Sequence, residues 1–204
     1  MDYKETVKAG YNRIASQYLA ERTRDSEDIH LLDDLIARLP DGAKVLDAGC
    51  GAGIPVAQIL SDRFDLTGVD FSEAQIDLAR MHVPGAQFVC QDMTKLDYPE
   101  DTFDAIVSYY AIIHIPREQH QSLFVNFQRM LKRDGFALLC LGAENLVDDI
   151  EESYLGTRMY WSHFDADTYL ELLEVTGFKL IWSIIVRDAT CEGGGHLFVL
   201  VQKP

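Results

Sequence analysis

The chain has 204 residues, of which 48% are hydrophobic and 25% charged, and this size and composition are typical of one globular domain. Its formal net charge of −15, from 33 acidic against 18 basic residues, argues against nucleic-acid binding, which needs a lysine- and arginine-rich surface. No apolar run approaches the ~20 residues that cross a bilayer, so the sequence predicts neither a nucleic-acid nor a membrane partner.

The N-terminus and the cysteines indicate a cytoplasmic protein. The opening sequence MDYKETVKAGYNRIA lacks the apolar core of a secretion signal. The four cysteines, Cys50, Cys90, Cys140 and Cys191, are far apart and form no CxxC pair. We therefore expect reduced thiols without a disulfide framework or a structural zinc site. The sequence does not choose between a monomer and a homodimer.

Strand-like apolar runs alternate with amphipathic helical stretches along the chain. A helix-like segment, Tyr3–Ala20, comes first, and Asp25–Leu39 then carries one apolar stripe. Further helices are predicted at Pro55, at the capping box Ser72-Glu73-Ala74-Gln75, between Pro116 and Leu131, and from Asp165 to Glu174. The predicted strands are Lys44–Asp47, Asp65–Asp70, Gln87–Cys90, Phe103–Ser108, Phe136–Leu141, Phe178–Val186 and His196–Gln202.

This alternation predicts a doubly wound α/β layer formed by a single domain over residues 1–204. The last two strands flank Gly193-Gly194-Gly195 and are predicted to pair as a hairpin that closes the sheet edge. Residues 1–24 and 142–164 stand outside the alternation. Additions to such sheets often cover the crevice at the carboxyl ends of the strands. We therefore expect the first segment to form a lid helix and the second to lie over the active site.

The stretch VLDAGCGAG, residues 45–53, places Gly49, Gly51 and Gly53 directly after the first strand. Glycines bend the chain where Cβ atoms would obstruct, and they let a flat ligand lie against bare backbone. The N–H groups at the start of the following helix face the same crevice. The turn therefore predicts a ligand-binding edge at the end of the first strand.

The ends of the second and third strands carry side chains suited to a nucleoside. Asp70 closes the second strand, where a carboxylate can accept hydrogen bonds from both hydroxyls of a ribose. Gln91, Asp92 and Met93 follow the third strand. Asp92 can accept a hydrogen bond from an exocyclic amine, while Met93 and Phe71 flank a purine. Three successive strand ends therefore predict a nucleoside-bearing cofactor.

The acidic residue ahead of the glycines indicates which kind of nucleoside is bound. A dinucleotide site has the spacing GxGxxG, and its pyrophosphate sits on the helix N-terminus. Here the spacing is GxGxG, and Asp47 lies two residues before Gly49. A carboxylate there repels a pyrophosphate and suits a cationic ammonium group. The spacing and the charge favour a nucleoside joined to an amino acid.

Four motifs, DAGCGAG, GVDFS, QDM and FDAIVSYYAIIH, resemble in order and spacing those of the class I S-adenosylmethionine-dependent methyltransferases of small molecules. The resemblance is strongest from Val45 to Leu141. It implies a Rossmann-like seven-stranded, mostly parallel sheet with an antiparallel last strand, a leading helix that folds over the cofactor, and S-adenosyl-L-methionine as that cofactor. The residues assigned to cofactor binding are Tyr11, Tyr18, Asp47, Gly49, Cys50, Gly51, Gly53, Asp70, Phe71, Gln75, Gln91, Asp92, Met93 and Ser108.

Methyl transfer is an in-line displacement at a sulfonium carbon, so the protein must hold a nucleophile behind the methyl group and exclude water. In the loop after the fourth strand, His114 is the candidate base or substrate-orienting group, and Tyr109 and Tyr110 are candidate pocket walls. A packing role is the alternative for His114. His120 is placed on a polar helical face without a role. The insertion supplies candidate substrate-pocket residues, which would otherwise form a small satellite core: Tyr154, Tyr160, Trp161 and His163.

The sequence therefore predicts an enzyme that methylates oxygen or nitrogen of a small-molecule acceptor. The fourth strand is followed by Tyr109-Tyr110-Ala111, without the Pro-Pro-aromatic motif of enzymes that methylate amino groups of nucleic acids. The predicted crevice has no convincing set of clustered carboxylates, so no metal is expected. The alternatives are a dinucleotide-dependent oxidoreductase and a non-catalytic cofactor-binding or interaction protein of the same fold.

Overall fold

The computed structural model of the chain describes residues 3–22, 25–187 and 194–204. The helices of these ranges are α1 Tyr3–Glu21, α2 Glu27–His30, α3 Leu32–Arg38, α4 Val56–Ser61, α5 Glu73–His82, α6 His120–Met130 and α7 Ala166–Val175. The strands are β1 Lys44–Ala48, β2 Asp65–Asp70, β3 Gln87–Cys90, β4 Phe103–Ser108, β5 Leu131–Gly142, β6 Leu146–Tyr154, β7 Thr157–His163, β8 Lys179–Val186 and β9 His196–Gln202. Short 3₁₀ turns occupy Met93–Lys95, Ile112–His114 and Arg117–Gln119.

Across the described ranges, seven strands form the main sheet in the order β3-β2-β1-β4-β5-β9-β8. β1 pairs in parallel with β2 and β4, and β9 is antiparallel to both β5 and β8. This confirms the predicted mostly parallel sheet with an antiparallel last strand. The strand order reverses between β1 and β4, and in open α/β sheets such a reversal opens a crevice at the carboxyl ends of the strands.

Two segments differ from the sequence prediction in their boundaries. The predicted helix Asp25–Leu39 is divided at Leu31 into α2 and α3. The signal at Asp134-Gly135 does not end a helix, because α6 stops at Met130 and β5 begins at Leu131. The β4–β5 pairing changes register in this region, and Asp134 has a φ of 63°. The turn residues therefore mark an irregularity inside a long strand.

Helices cover both faces of the sheet, as a doubly wound layer requires. One core includes Leu60 of α4 and Ile76 of α5, and the other includes Phe124 of α6. Consecutive β1 residues alternate between them, with Val45 in the first core and Leu46 in the second. None of the helices in the described ranges is both long and apolar enough to cross a lipid bilayer.

The insertion folds as an antiparallel pair, β6 and β7, that packs against α1. The ring of Tyr3 stacks on the ring of Tyr160, with centroids 4.2 Å apart. Gly10 permits the close approach of the two elements, because a Cβ there would lie 2.9 Å from the Met159 Cε. The hairpin therefore supports the helix at the N-terminus from one side.

The cysteines and the glycine hairpin are described only in part. Cys50, Cys90 and Cys140 are free thiols. Cys191 and Gly193 lie outside the described residues. The predicted pairing of the last two strands is observed directly, since β8 and β9 share an antiparallel register from Lys179 opposite Gln202.

His120 corrects the sequence prediction, which placed it on a polar helical face. It is fully buried, and so is Tyr169 of α7. The His120 Nε2 lies 2.8 Å from the Ile115 carbonyl oxygen, and its Nδ1 lies 2.9 Å from the Tyr169 hydroxyl. A carbonyl only accepts, so Nε2 carries the proton and the Tyr169 hydroxyl donates to Nδ1. This pair anchors the loop that contains His114.

A Tyr169→Phe variant should be less stable, because it leaves the buried His120 Nδ1 without its donor. We expect the free energy of unfolding to fall by ~1–3 kcal/mol, a loss of several degrees in Tm by scanning calorimetry. Tyr98→Phe is the control, because Tyr98 is half-buried and its ring packs edge to face on Phe103, a contact that phenylalanine keeps. Equal Tm values for the two variants would contradict the role of this pair.

Candidate active site

The glycine turn lies at the carboxyl end of β1 and is fastened to β2. The Gly49 and Cys50 amides both donate to the Val69 carbonyl, at 2.7 and 3.0 Å. Gly49 has a φ of 86°, and a Cβ there would collide with the Ala111 side chain and lie 2.9 Å from the Met93 Cε. A residue without a side chain is therefore required where the turn meets the loop after β4.

Asp47 presents a buried acceptor without a donor. Its side chain is 1% exposed, and its Oδ2 has no hydrogen-bond partner among the described residues. Burial, together with the charge of Asp70, raises the pKa of Asp47 to about 8. A buried carboxylate of this kind is costly until a cation or donor reaches it. The residue thus fits the ammonium group of an amino-acid ligand.

Gln75 supplies a second acceptor of the same kind. The Gln75 backbone N–H donates to the Ser72 Oγ at 3.3 Å, which confirms the predicted N-cap of α5. Its side chain does not close the capping box, because the Ser72 amide donates instead to the Asp70 Oδ1. The buried Gln75 Oε1 has no partner in the described ranges and borders the same cleft as Asp47.

Asp70 ends β2 with a carboxylate that the backbone holds in place. Its Oδ2 accepts from the Gly51 amide at 3.0 Å, and its Oδ1 accepts from the Ser72 amide at 2.9 Å. Burial raises the pKa of Asp70 to about 6, against the lowering effect of these hydrogen bonds. A carboxylate has about four acceptor sites, so the oriented oxygens keep capacity for two ribose hydroxyls.

Asp92 is held by a turn and by the N-terminal helix. Its Oδ1 accepts from the Thr94 amide and hydroxyl, at 2.8 and 2.7 Å. Its Oδ2 accepts from the Lys4 Nζ of α1 at 2.9 Å. Burial opposes ionisation, but these contacts lower the pKa of Asp92 below its usual value. The carboxylate is therefore ionised and fixed at the end of the cleft that Phe71 and Met93 share.

One cleft of about 960 Å³, partly open to solvent, joins these strand ends. Most of the predicted site residues line it, namely Tyr11, Tyr18, Asp47, Gly49, Cys50, Gly51, Asp70, Phe71, Gln75, Gln91, Asp92, Met93, Tyr109, Tyr110 and His114. The wall also contains residues that the sequence prediction missed, among them Lys4, Val7, Leu19, Arg22, Ile54, Ala111 and Ile115.

The missed residues of α1 carried a signal in the sequence. Lys4, Tyr11, Tyr18 and Arg22 follow one another at intervals of seven, seven and four residues, which places them on one face of a helix. All four line the cleft. The assignment of Tyr11 and Tyr18 to the cleft therefore predicts that Lys4 and Arg22, on the same helical face, border it as well.

Two residues assigned to the cofactor lie outside the cleft wall. Gly53 faces α5, where a Cβ would lie 3.4 Å from Ala79. The Ser108 hydroxyl is fully buried and donates to the Ala48 carbonyl at 2.7 Å. Gly53 and Ser108 therefore contact neighbouring elements of the fold and do not face the cleft.

The four substrate-pocket candidates of the insertion do not line the cleft either. The Tyr160 hydroxyl donates to the Asp148 Oδ1 at 2.6 Å, and the His163 Nδ1 lies 2.6 Å from the Glu144 carbonyl. The rings of Tyr154 and Trp161 pack edge to face, with centroids 5.1 Å apart. The reason is that the insertion forms its own hairpin, whose aromatic side chains pack on α1 and on one another. This arrangement corresponds to the alternative prediction, in which these aromatic residues form a small satellite core.

His114 lies in the 3₁₀ turn after β4 and contacts α1. Its Nδ1 is 2.8 Å from the Tyr160 carbonyl oxygen, and its Nε2 is 2.8 Å from the Tyr11 hydroxyl. Because the carbonyl only accepts, Nδ1 carries the proton and Nε2 accepts from Tyr11. Burial lowers the pKa of His114 to about 4, so the ring is neutral at pH 7. The tautomer is thereby fixed, with a tyrosine hydroxyl oriented in the cleft.

An Asp47→Asn variant tests the electrostatics of the ligand-free site. In the unfolded chain this carboxyl ionises near pH 4, but in the folded chain its pKa is about 8. The folded state therefore retains a proton between these values, so its stability falls as the pH rises from about 4 to about 8 and levels off above that. We expect Asp47→Asn to raise Tm at pH 8 by several degrees and to leave it nearly unchanged at pH 4.

Calorimetric scans at both pH values measure this difference. Asp33→Asn, which changes an exposed carboxylate of α3, is the matched control and should leave both Tm values unchanged. A Tm for Asp47→Asn that lies below the parent value at pH 8 would show that the carboxylate is not destabilising.

Comparison with known proteins agrees with this geometry. Residues 45–135 match the family model described as a methyltransferase domain. Phosphoethanolamine N-methyltransferase 3 of Arabidopsis thaliana is 34% identical over 204 residues, covering 93% of this chain and 39% of that protein. The chain spans 37–39% of the length of the first three plant enzymes of this kind that it matches.

Solved structures agree over nearly the whole chain. A TehB-like S-adenosylmethionine-dependent methyltransferase from Corynebacterium glutamicum is 25% identical, with a TM-score of 0.70 over 97% of this chain and 98% of that one. The 1,6-didemethyltoxoflavin-N1-methyltransferase of Burkholderia thailandensis, solved with its acceptor and S-adenosylhomocysteine, shares the fold at 20% identity, with a TM-score of 0.74 over 99% and 89%. These similarities agree with the predicted resemblance to the class I S-adenosylmethionine-dependent methyltransferases, whose cofactor is S-adenosyl-L-methionine.

Proposed function

We propose that the chain transfers a methyl group to an oxygen or nitrogen atom of a small-molecule acceptor. The observation that carries the proposal is a single cleft that joins the unpartnered Asp47 carboxylate, the fixed Asp70 carboxylate and the Tyr11–His114 pair. The first two fit the cofactor, and the third borders the space left for an acceptor. S-adenosylmethionine, when bound, supplies an electrophilic methyl group on a sulfonium sulfur.

The cofactor has a matching residue for each of its parts. The Asp47 Oδ2 would accept from its ammonium group, and the buried Gln75 Oε1 offers a further acceptor. Asp70 would accept from the ribose hydroxyls. The purine would lie between Phe71 and Met93, at the end of the cleft that Asp92 closes. These roles are our proposal for the residues that line the cleft.

His114 and Tyr11 would orient the acceptor. A pKa of about 4 leaves the His114 ring neutral at pH 7 and makes it a weak proton acceptor. Orientation is therefore the better-supported role. The ring accepts a hydrogen bond from the Tyr11 hydroxyl, and the oxygen of that hydroxyl can accept from an O–H or N–H of the substrate. This would point the acceptor lone pair at the methyl group, which is the main demand of a displacement.

Helix α1 would act as the lid that excludes water. The Lys4 Nζ donates to Asp92 at 2.9 Å, and the Lys8 Nζ donates to Glu73 at 2.7 Å. The Asn12 Oδ1 accepts from the Ser72 hydroxyl at 2.7 Å. Polar contacts of this kind near the surface can break and be replaced by water at a small cost in free energy. They support a helix that closes over the cofactor and must move for its exchange.

The amine acceptors named for the plant relatives make nitrogen the first atom to test. Isothermal titration with S-adenosylhomocysteine examines the cofactor site, and NADH is the control ligand for a dinucleotide site. We expect binding of the first alone. Transfer of label from methyl-labelled S-adenosylmethionine to a panel of small amines and alcohols, phosphoethanolamine included, then examines catalysis. Tight cofactor binding with no turnover on the panel would favour a non-catalytic role.

A further inference from the structure

Arg22 follows the last residue of α1 and brings a cation into the wall of the cleft. Its side chain is 20% exposed, so the guanidinium is largely removed from water. Its Nη2 lies 3.6 Å from the Asp28 Oδ2, which is an ion-pair distance beyond the range of a hydrogen bond. A guanidinium has five N–H donors. This ion pair therefore leaves donors for another oxygen-bearing group.

The ring of Tyr110 contacts this guanidinium. The Arg22 Cζ lies 4.7 Å from the centroid of the Tyr110 ring, within the range of a cation–π contact. The Tyr110 hydroxyl donates to the Asp28 Oδ2 at 3.1 Å, so the same carboxylate fixes both side chains. Tyr110 has a φ of 53°, an unfavourable backbone conformation for a bulky residue. Such strain is typical of residues held for function.

The position of Arg22 along α1 separates it from the purine end. Lys4 is at the other end of the same helical face and donates to Asp92 at 2.9 Å. The two cations are eighteen positions apart along and just past α1, which at the helical rise corresponds to about 27 Å. Tyr11, which contacts His114, lies between them. Arg22 therefore stands beyond the proposed reaction centre, on the side of the methionine moiety and the acceptor.

We propose that Arg22 is an oxyanion-binding subsite of the cleft, which takes a carboxylate or phosphate group through its planar N–H donors. The inference rests on the proposed function for the direction in which the cofactor lies. Two ligands present this chemistry at that place, namely the carboxylate of the cofactor and an anionic group on the acceptor. Arginine matches either group bidentately, which a lysine does not.

Calorimetric titration of Arg22→Gln against three probes separates the two sources. The probes are S-adenosylhomocysteine, its decarboxylated analogue, and inorganic phosphate added to protein saturated with S-adenosylhomocysteine. If the oxyanion is the carboxylate of the cofactor, Arg22→Gln weakens the binding of S-adenosylhomocysteine by roughly 10-fold or more and leaves the affinity for the decarboxylated analogue unchanged. If the oxyanion belongs to the acceptor, the affinities for S-adenosylhomocysteine and its decarboxylated analogue stay unchanged and the binding of phosphate is lost.

Arg13→Gln is the matched control, because Arg13 lies exposed on the same helix and should affect no probe. Arg22→Lys keeps the positive charge but lacks the planar guanidinium donors, so it should lose less affinity for the same probe. It replaces Arg22→Gln in the test if that variant does not fold. Unchanged constants for all three probes in a folded Arg22→Gln variant would overturn the subsite. If the parent chain fails to bind S-adenosylhomocysteine, the proposed function fails. Loss of phosphate binding in ligand-free Arg22→Gln would then still support an oxyanion subsite.

Discussion

An Asp70→Ala variant is expected to bind S-adenosylhomocysteine roughly 100-fold more weakly, or worse, than the parent chain. Each hydrogen bond from a ribose hydroxyl to a carboxylate contributes ~1.5–3 kcal/mol, and the variant loses two of them. It also removes the acceptor of the Gly51 and Ser72 amides, so the glycine turn loses a fixed contact with β2. Isothermal titration calorimetry near pH 7.5 measures the change.

Two further variants separate specific loss from general damage. Asp77→Ala removes an exposed carboxylate of α5 and should leave the dissociation constant unchanged. Asp70→Asn keeps the shape but replaces one oxygen with a donor, so it should weaken binding by an intermediate factor. A dissociation constant for Asp70→Ala within threefold of the parent value, in a variant that retains its Tm, would remove the basis of the proposed cofactor site.

The second large effect is expected at the Tyr11–His114 pair. His114→Ala should lower kcat by roughly 10²–10³-fold, because the Tyr11 hydroxyl loses the acceptor that orients it. Tyr11→Phe should lower kcat by a similar factor. The double variant should lose little more than either single variant, since residues that act as a unit are not additive. Label transfer to an acceptor found in the panel measures these rates.

Nitrogen NMR of the imidazole gives a test that needs no acceptor. The His114 ring should titrate with a pKa of about 4 and carry its proton on Nδ1 between pH 6 and 8. His30→Ala, at an exposed position of α2, is the rate control and should leave kcat unchanged. Additive losses in the double variant, or a His114 ring protonated on Nε2, would contradict the paired role.

The fold was predictable from local features of the sequence. The bounds of β4 and β9 agree with the apolar runs, because a strand buried on both faces needs a near-continuous apolar segment. The bounds of β2 and of the largely exposed edge strand β3 agree as well. The N-caps at Ser72 and Asp165 were also predictable. Each side chain accepts a hydrogen bond from the backbone N–H three residues later, which is a local contact.

The acidic strand ends were predictable as well. Asp47 and Asp70 end adjacent parallel strands, and the carboxyl ends of such strands meet at one edge of the sheet. Their placement in one cleft follows from strand order alone. Their pKa values do not, because both shifts depend on how completely the rest of the chain removes the two carboxyls from water.

Only the tertiary structure decided the contacts between distant segments. Tyr11 and His114 are 103 positions apart and Lys4 and Asp92 are 88 apart, and no periodicity links such pairs. The insertion was assigned to the substrate pocket because of its aromatic residues, yet Tyr160 contributes its backbone carbonyl to His114 while its ring packs on α1. Sequence patterns specify the element in which a side chain lies and the face it occupies. Which surface that face meets is settled by the packing of the whole chain, where burial of apolar area determines the partners.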